Sequence, residues 1–419
     1  MSREPGGERG IFSSVPSEYR RRGYRHTASW VFYGACFSIA VGQGPFVIRQ
    51  LGGSALQCLL VNYGLGLPLL FALVWVPFLE KRNPVRLTGL LLGLGGLLVV
   101  FSALARSTWS LALVLAGGMA LSAISQPALG TALAQIYPTR WRGKLLALPN
   151  TAAMLARVLC LVLVGRLLRQ DIGLFRWVFP AAGVSLIVSG ALFRGVRGSR
   201  GVRSDAEGQT RFSASAQVMA ALRATFRNRL LLVFLIGYFI TTCGAVAYAN
   251  VLPLFARDQL GLTTAQWGYA RAGFMAAMLV SFTFWGIFLD RFGAALTVVL
   301  AWTLQCAVFV PMFFVKSWPL FFFLVAARGL FQAGNMLAFF PMVMHFTDSS
   351  ETARGMALHF SLWGLRWILM ASAVVCIVDR GLFPMRYVFL FTVVLVVVGL
   401  VIMVWVWWRD CAARSASAV

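Results

Sequence analysis

Acid is what this chain has least of. Its 419 residues hold only 13 Asp and Glu against 37 Lys and Arg, and only 3 His. The acids are Glu4, Glu8, Glu18, Glu80, Asp171, Asp205, Glu207, Asp258, Asp290, Asp348, Glu351, Asp379 and Asp410, and none sits in the middle of an apolar run. A paired-carboxylate active site is therefore missing. There is no H-E-x-x-H, no G-x-x-x-x-G-K-[ST] and no Ser–His–Asp candidate within the apolar runs, so metalloprotease, nucleotide-driven and acyl-transfer chemistry are set aside. The seven cysteines are Cys36, Cys58, Cys160, Cys243, Cys306, Cys376 and Cys411; none forms a C-x-x-C, and no metal-ligand spacing appears. They read as small buried apolar residues. We expect no enzyme activity, no cofactor and no metal.

What the chain has instead is apolar length. It is 59% apolar and 12% charged, and runs of about 20 apolar residues recur along nearly all of it, each long enough to cross roughly 30 Å of hydrocarbon. The fold class expected is an all-α polytopic membrane protein with 12 transmembrane helices. The net charge of +24 first suggests nucleic acid. Its distribution excludes that reading, because most Lys and Arg fall in the two tails and in every second loop. That is the asymmetry expected of loops on the cytoplasmic side of a bilayer. Arg20, Arg21 and Arg22 precede the first apolar run, which lacks an A-x-A cleavage site and reads as a retained span. The partners expected are a small-molecule substrate and the lipid bilayer, with the chain as a monomer. The expected location is a plasma membrane (the inner membrane in a bacterium), with both termini cytoplasmic.

The expected organisation is a basic tail over 1–27, six spans over 28–194, a linker over 195–228, six more spans over 229–408 and a short tail over 409–419. Span 1 is broken by Gly42, Gly44 and Pro45. Span 3 carries Gly89, Gly93, Gly95 and Gly96, small residues that permit tight helix contact. In the linker, Phe212, Val218, Met219, Leu222 and Phe226 share one helical face, which fits a short helix on the membrane surface.

The two halves repeat at an offset of about 210 residues. Pro45-Phe-Val-Ile-Arg-Gln-Leu-Gly52 is matched by Pro253-Leu-Phe-Ala-Arg-Asp-Gln-Leu-Gly261, with one residue inserted. Arg142-Gly143 in the first half is matched by Arg354-Gly355 in the second. Between two apolar runs stands Gly286-Ile-Phe-Leu-Asp290-Arg291-Phe-Gly293. This G-x-x-x-D-R-x-G turn resembles the loop signature of the major facilitator superfamily of transporters, and the resemblance covers about residues 28–408. It implies two six-helix pseudo-symmetric halves and transport by alternating access. The glycines would let two helix ends approach, and Asp290 would cap a helix or pair with an Arg. The first half departs from the signature, with Glu80-Lys81 for Asp-Arg and Asn83 for the second glycine. In the second half Ala294 and Ala295 replace a basic pair. A charge relay built on this motif would be weaker here.

Four arginines lie within spans: Arg157, Arg271, Arg328 and Arg366. Each costs roughly 2.5–3.5 kcal/mol on insertion scales and should face a wet cavity or a partner. No mid-span acid is there to pair with them, which leaves carbonyls and hydroxyls or an anionic substrate held by bidentate hydrogen bonds. In the family the resemblance names, the spans that carry them line or flank the central cavity. The polar companions on those spans are Gln43, Asn62, Gln126, Asn150, Tyr238, Asn250, Gln332 and Asn335. Each reads either as a ligand group or as a helix–helix hydrogen bond. Trp363 and Trp367 flank Arg366. His345 and His359 sit near the ends of their spans. The function expected is a secondary or facilitative transporter of an anionic or zwitterionic organic solute. A carrier of a neutral sugar or an amphiphile (drug or lysolipid) is the alternative, and a non-transporting solute sensor a remote one. With no buried acid to carry a proton, uniport or anion exchange is favoured over proton coupling.

Overall fold

The computed structural model describes residues 16–72, 75, 83–137, 139–196, 228–346 and 349–417. Its helices are α1 (Ser17–Phe37), α2 (Gly44–Gln50), α3 (Ala55–Leu70), α4 (Pro84–Val100), α5 (Thr108–Ile136), α6 (Thr139–Gln170) and α7 (Phe175–Arg194) in the first half. The second half holds α8 (Arg229–Asp258), α9 (Thr264–Phe292), α10 (Ala294–Met312), α11 (Trp318–Phe346), α12 (Ser349–Asp379) and α13 (Tyr387–Ser417). No strand occurs among the described residues. Eleven of these helical stretches are long and apolar enough to cross a membrane, with Ala55–Leu70 a shorter apolar helix beside them. The expected surface helix at Phe212–Phe226, and Glu80 and Lys81, lie outside the described residues.

The first span does not break. Pro45 has no N–H to give to the preceding turn, so the helix widens into a π-helical stretch over Ser38–Gln43 and resumes as α2 with Pro45 in its first turn. Within that stretch the Gly42 carbonyl accepts a 2.8 Å hydrogen bond from the Trp267 indole of α9. Helix α1 itself starts at Ser17, inside the stretch expected to be a tail.

The repeat is visible in the packing. In the first half α1 packs on α6 and α7, α3 on α5, and α4 on α5 and α7. In the second, α8 packs on α12 and α13, α9 on α11, and α10 on α11 and α13, which is the same pattern shifted by six spans. Two seams join the halves, α6 against α9 and α3 against α12, and the repeat exchanges one for the other. The glycines of α4 serve the contact expected of them. A Cβ on Gly96 would stand 2.6 Å from the Gly183 carbonyl of α7, and one on Gly95 2.7 Å from the Gly118 carbonyl of α5. In the G-x-x-x-D-R-x-G turn the glycines work differently from expectation. Gly293 has φ +81°, a conformation that favours glycine, and it ends α9 and starts α10. A Cβ on Gly286 or Gly293 would meet nothing within 4 Å among the described residues. Gly293 supplies the turn, Gly286 lies within α9, and neither makes a close approach among the described residues. Asp290 and Arg291 are exposed, and α10 has no side-chain cap, so Asp290 does not cap it.

Among the described residues, the bonds between halves gather at the end away from the chain termini. Arg49 pairs with Asp258, and Asn62 Nδ2 donates to Asn250 Oδ1 at 2.6 Å. Thr264 donates to the Gly165 carbonyl, and Arg166 Nε to the Tyr269 hydroxyl. The amides of Ala55 and Leu56, the first turn of α3, donate to the two carboxylate oxygens of Asp379 at 2.9 and 3.2 Å. An anion at a helix N-terminus satisfies amides that the helix cannot. Here the anion comes from the other half.

Candidate functional site

Helical spacing builds a cavity of about 380 Å³ inside the second half. Helix α8 turns Tyr238, Thr242, Ala245, Val246 and Ala249 into it, a set at i, i+4, i+7, i+8 and i+11. Helix α11 turns in Arg328, Gln332, Asn335, Met336 and Phe339 at the same spacing, so each helix offers one continuous stripe. Helix α12 adds His359, Phe360, Trp363, Arg366 and Trp367, and α10 adds Trp302. The walls are thus largely aromatic and aliphatic, with two amides, two guanidinium groups and, among the described residues, no carboxylate.

Arg366 is 3% exposed. Its Nη1 donates a short hydrogen bond to Thr242 Oγ1, and its guanidinium lies 5.7 Å from the Tyr238 ring centroid. Arg328 is 7% exposed and lies over Tyr248, 4.7 Å from the ring centroid, with Phe274 at 5.4 Å and Phe309 at 5.9 Å. Aromatic faces ease the burial of a cation, but they do not use its N–H groups. The Nε atoms of Arg328 and Arg366 have no hydrogen-bond partner, nor have Gln332 Oε1 and Asn335 Oδ1. Donors and acceptors therefore both stand unused at the cavity. His359 stacks between Phe339 and Trp363, with ring centroids 3.9 and 6.3 Å away.

The other two arginines stand outside this cavity. Arg271 of α9 lies 5.4 Å from the Phe274 ring that Arg328 also faces. Arg157 of α6 lies 4.8 Å from the Phe37 ring of α1. Nε of each is buried without a partner. The expected polar companions divide in the same way. Gln332, Asn335, Tyr238 and Trp363 line the cavity. Gln43, fully buried, donates to the Leu161 carbonyl at 3.2 Å. Asn62 and Asn250 bond each other across the halves. Gln126 reaches the Tyr33 hydroxyl at 3.4 Å, and Asn150 is exposed. Gln43, Asn62 and Gln126 therefore serve helix–helix contacts here. Helices α6 and α12 run through Arg142, Gly143, Arg354 and Gly355, whose side chains lie outside the described ones, as does that of His345. Sequence reasoning missed Thr242, Trp302, Phe339 and Phe360. Helical spacing would have found Thr242 through Tyr238, Phe339 through Gln332 and Asn335, and Phe360 through Trp363 and Trp367; nothing local marks Trp302.

Two pseudo-symmetric helical halves, the second holding a mostly apolar cavity set with a few polar groups, have the architecture of a membrane transporter. The chain belongs to the Major Facilitator Superfamily, whose family model matches residues 26–282 and 234–418. A ribitol transporter of Klebsiella pneumoniae is 26% identical over 149 residues. The match spans about a third of each protein, 34% of this chain and 34% of that one. Solved structures share the fold. The nucleoside transporter NupG superposes with a TM-score of 0.71 at 12% identity, covering 93% of this chain and 100% of that one. A bacterial homologue of the human lysosomal transporter Spinster, inward-facing and unoccupied, gives 0.68 at 14% identity over 94% and 97%. The xylose transporter XylE from E. coli, inward open, gives 0.64 at 11% identity over 93% and 95%.

Proposed function

We propose that this transporter moves a small organic solute bearing an acidic group, by alternating access, and binds it in the cavity between α8, α11 and α12. One observation carries the reading: Arg328 and Arg366 line the cavity while their buried Nε donors have no partner, and no carboxylate of the described residues lines it. A solute carboxylate or phosphate would supply the missing acceptor through charge-assisted hydrogen bonds. The seams α6–α9 and α3–α12 are the surfaces on which the halves would rock. The ties at the far end from the termini are the contacts that rocking would break. With no buried acid to carry a proton, the transport mode we favour is uniport or exchange. Both termini and the linker lie on the cytoplasmic face of a plasma membrane in this reading, and the chain works as a monomer.

A neutral polyol or sugar is the second reading. The match to a ribitol transporter favours it, and Gln332, Asn335 and Trp363 suit hydroxyls and a sugar face. Thermal stability of the detergent-purified protein decides between the two. Anionic, zwitterionic and neutral solutes are titrated side by side. A ligand at 100 times its dissociation constant stabilises by about 2.7 kcal/mol. Stabilisation confined to anions supports the first reading; stabilisation confined to polyols overturns it and makes the arginines structural.

A further inference from the structure

The cavity carries its positive charge at two heights. Arg366 donates to Thr242 of α8, and Arg328 lies over Tyr248 of the same helix. Those two positions of α8 are about 9 Å apart along the helix axis, at 1.5 Å per residue. The end at Arg328 is the more strongly charged, because the Arg271 guanidinium lies 5.4 Å from the same Phe274 ring centroid as that of Arg328. Like charges gathered in a buried site with no carboxylate among the described residues there are relieved by a counter-charge from outside the chain. On α11, Gln332 stands about 6 Å along the axis from Arg328, between the two heights, and Asn335 about 10.5 Å along, level with Thr242; their Oε1 and Oδ1 accept nothing. Amide oxygens without donors suit hydroxyl or amide groups of a ligand. An amine would find two guanidinium groups and no carboxylate.

We propose that the solute is an organic dianion. One acidic group binds at Arg366 beside Thr242 and Asn335, the other at Arg328, and a hydroxyl- or amide-bearing middle lies against Gln332. This rests on the anionic reading of the cavity and narrows it: monoanions, zwitterions and amines are poor ligands. Aromatic stacking alone accounts for how the arginines are tolerated. It does not account for donors and acceptors left vacant along one line.

The test uses the full-length protein in detergent and thermal-shift titration with linear dicarboxylates from succinate to sebacate. The matching monocarboxylates are run beside them, together with the monomethyl ester of the best dicarboxylate. Affinity should peak at one chain length, and the monoester should bind about tenfold more weakly or worse. Arg328→Lys and Arg366→Lys keep the charge and lose the planar fork. Each should bring the dicarboxylate down to the monoester's affinity while leaving the monodisperse gel-filtration profile unchanged. A monoester that binds the wild-type protein as tightly as the diacid overturns the two-anchor arrangement and leaves an anionic site standing. If no carboxylate of any length binds, the dianion and the anionic site both fall. The ester comparison needs no variant, so a misfolded Arg→Lys protein cannot decide the matter.

Discussion

Arg49 and Asp258 are the corresponding segments of the two halves, bonded to each other. Arg49 Nε lies 2.9 Å from Asp258 Oδ2 and Nη2 lies 2.6 Å from it. Arg49 belongs to the first copy of the repeated segment. Asp258 is the residue by which the second copy, Pro253–Gly261, is longer. The insertion that spoils the alignment of the repeats supplies the acid that ties them together.

The pair is partly open to solvent, 23% and 22% exposed, so it contributes little, about 0.5–1 kcal/mol. Arg49→Gln or Asp258→Asn should therefore raise the population opened at that end about two- to fivefold. Cys58, fully buried behind the pair, is a native reporter. Its alkylation rate, read by peptide mass spectrometry, should rise by the same factor in either variant. No further rise is expected in the double variant. An unchanged rate would show that the pair does not hold that end closed.

Gly364→Val should drive α12 off α3. A Cβ at Gly364 would collide with the Leu70 amide and the Gly66 carbonyl, and backbone cannot give way as a side chain can. The cost is about 1–3 kcal/mol or more, visible as a lower melting temperature. Gly286→Ala is the contrast. Its Cβ would enter open space among the described residues, and Ala is the better helix former by about 0.5–1 kcal/mol. Melting should hold or rise. A large loss at Gly286 would show that the motif glycine is packed after all.

Trp267→Phe removes the 2.8 Å bond to the Gly42 carbonyl and keeps the ring stacked on Phe46, 5.4 Å away at 7°. The loss should be about 0.5–1.5 kcal/mol. The freed carbonyl belongs to the π-helical turn, so amide exchange should quicken at Ser38–Gln43 and not elsewhere in α1.

Thr242→Val takes the acceptor from Arg366 Nη1 and nearly conserves volume. A buried donor left unmade costs about 1–3 kcal/mol, so solute affinity should fall about tenfold. In an Arg366→Gln background the same change should add little, since both act on one contact. Isothermal titration of the single and double variants measures the coupling; independent effects would separate Thr242 from Arg366.

The fold was open to reading in the sequence because its signals are local. A run of apolar residues states its own length, and the repeated Pro–Gly segments state the two halves. The site was only half legible. That Arg157 and Arg366 were buried cations without acids could be read from position alone. Which of them meets a cavity could not: Arg366 enters one beside Thr242, and Arg157 lies over Phe37. The difference is azimuth around a helix, set by which neighbours each half presents. Gln43 and Asn62 were equally ambiguous, because a buried amide looks the same whether it waits for a solute or, like Asn62, already holds Asn250. Partners far apart in sequence, such as Ala55 and Asp379, leave no local mark at all.

That last contact has a practical meaning. Ser54 and Gln57 already form a capping box at the start of α3, yet the amides of Ala55 and Leu56 are answered by a carboxylate on the far side of the α3–α12 seam. Whatever parts the halves there must uncover these two N–H groups together. Their exchange with deuterated water is then a clock built into the backbone. It counts how often that end stands open, without a label, a mutation or knowledge of the solute.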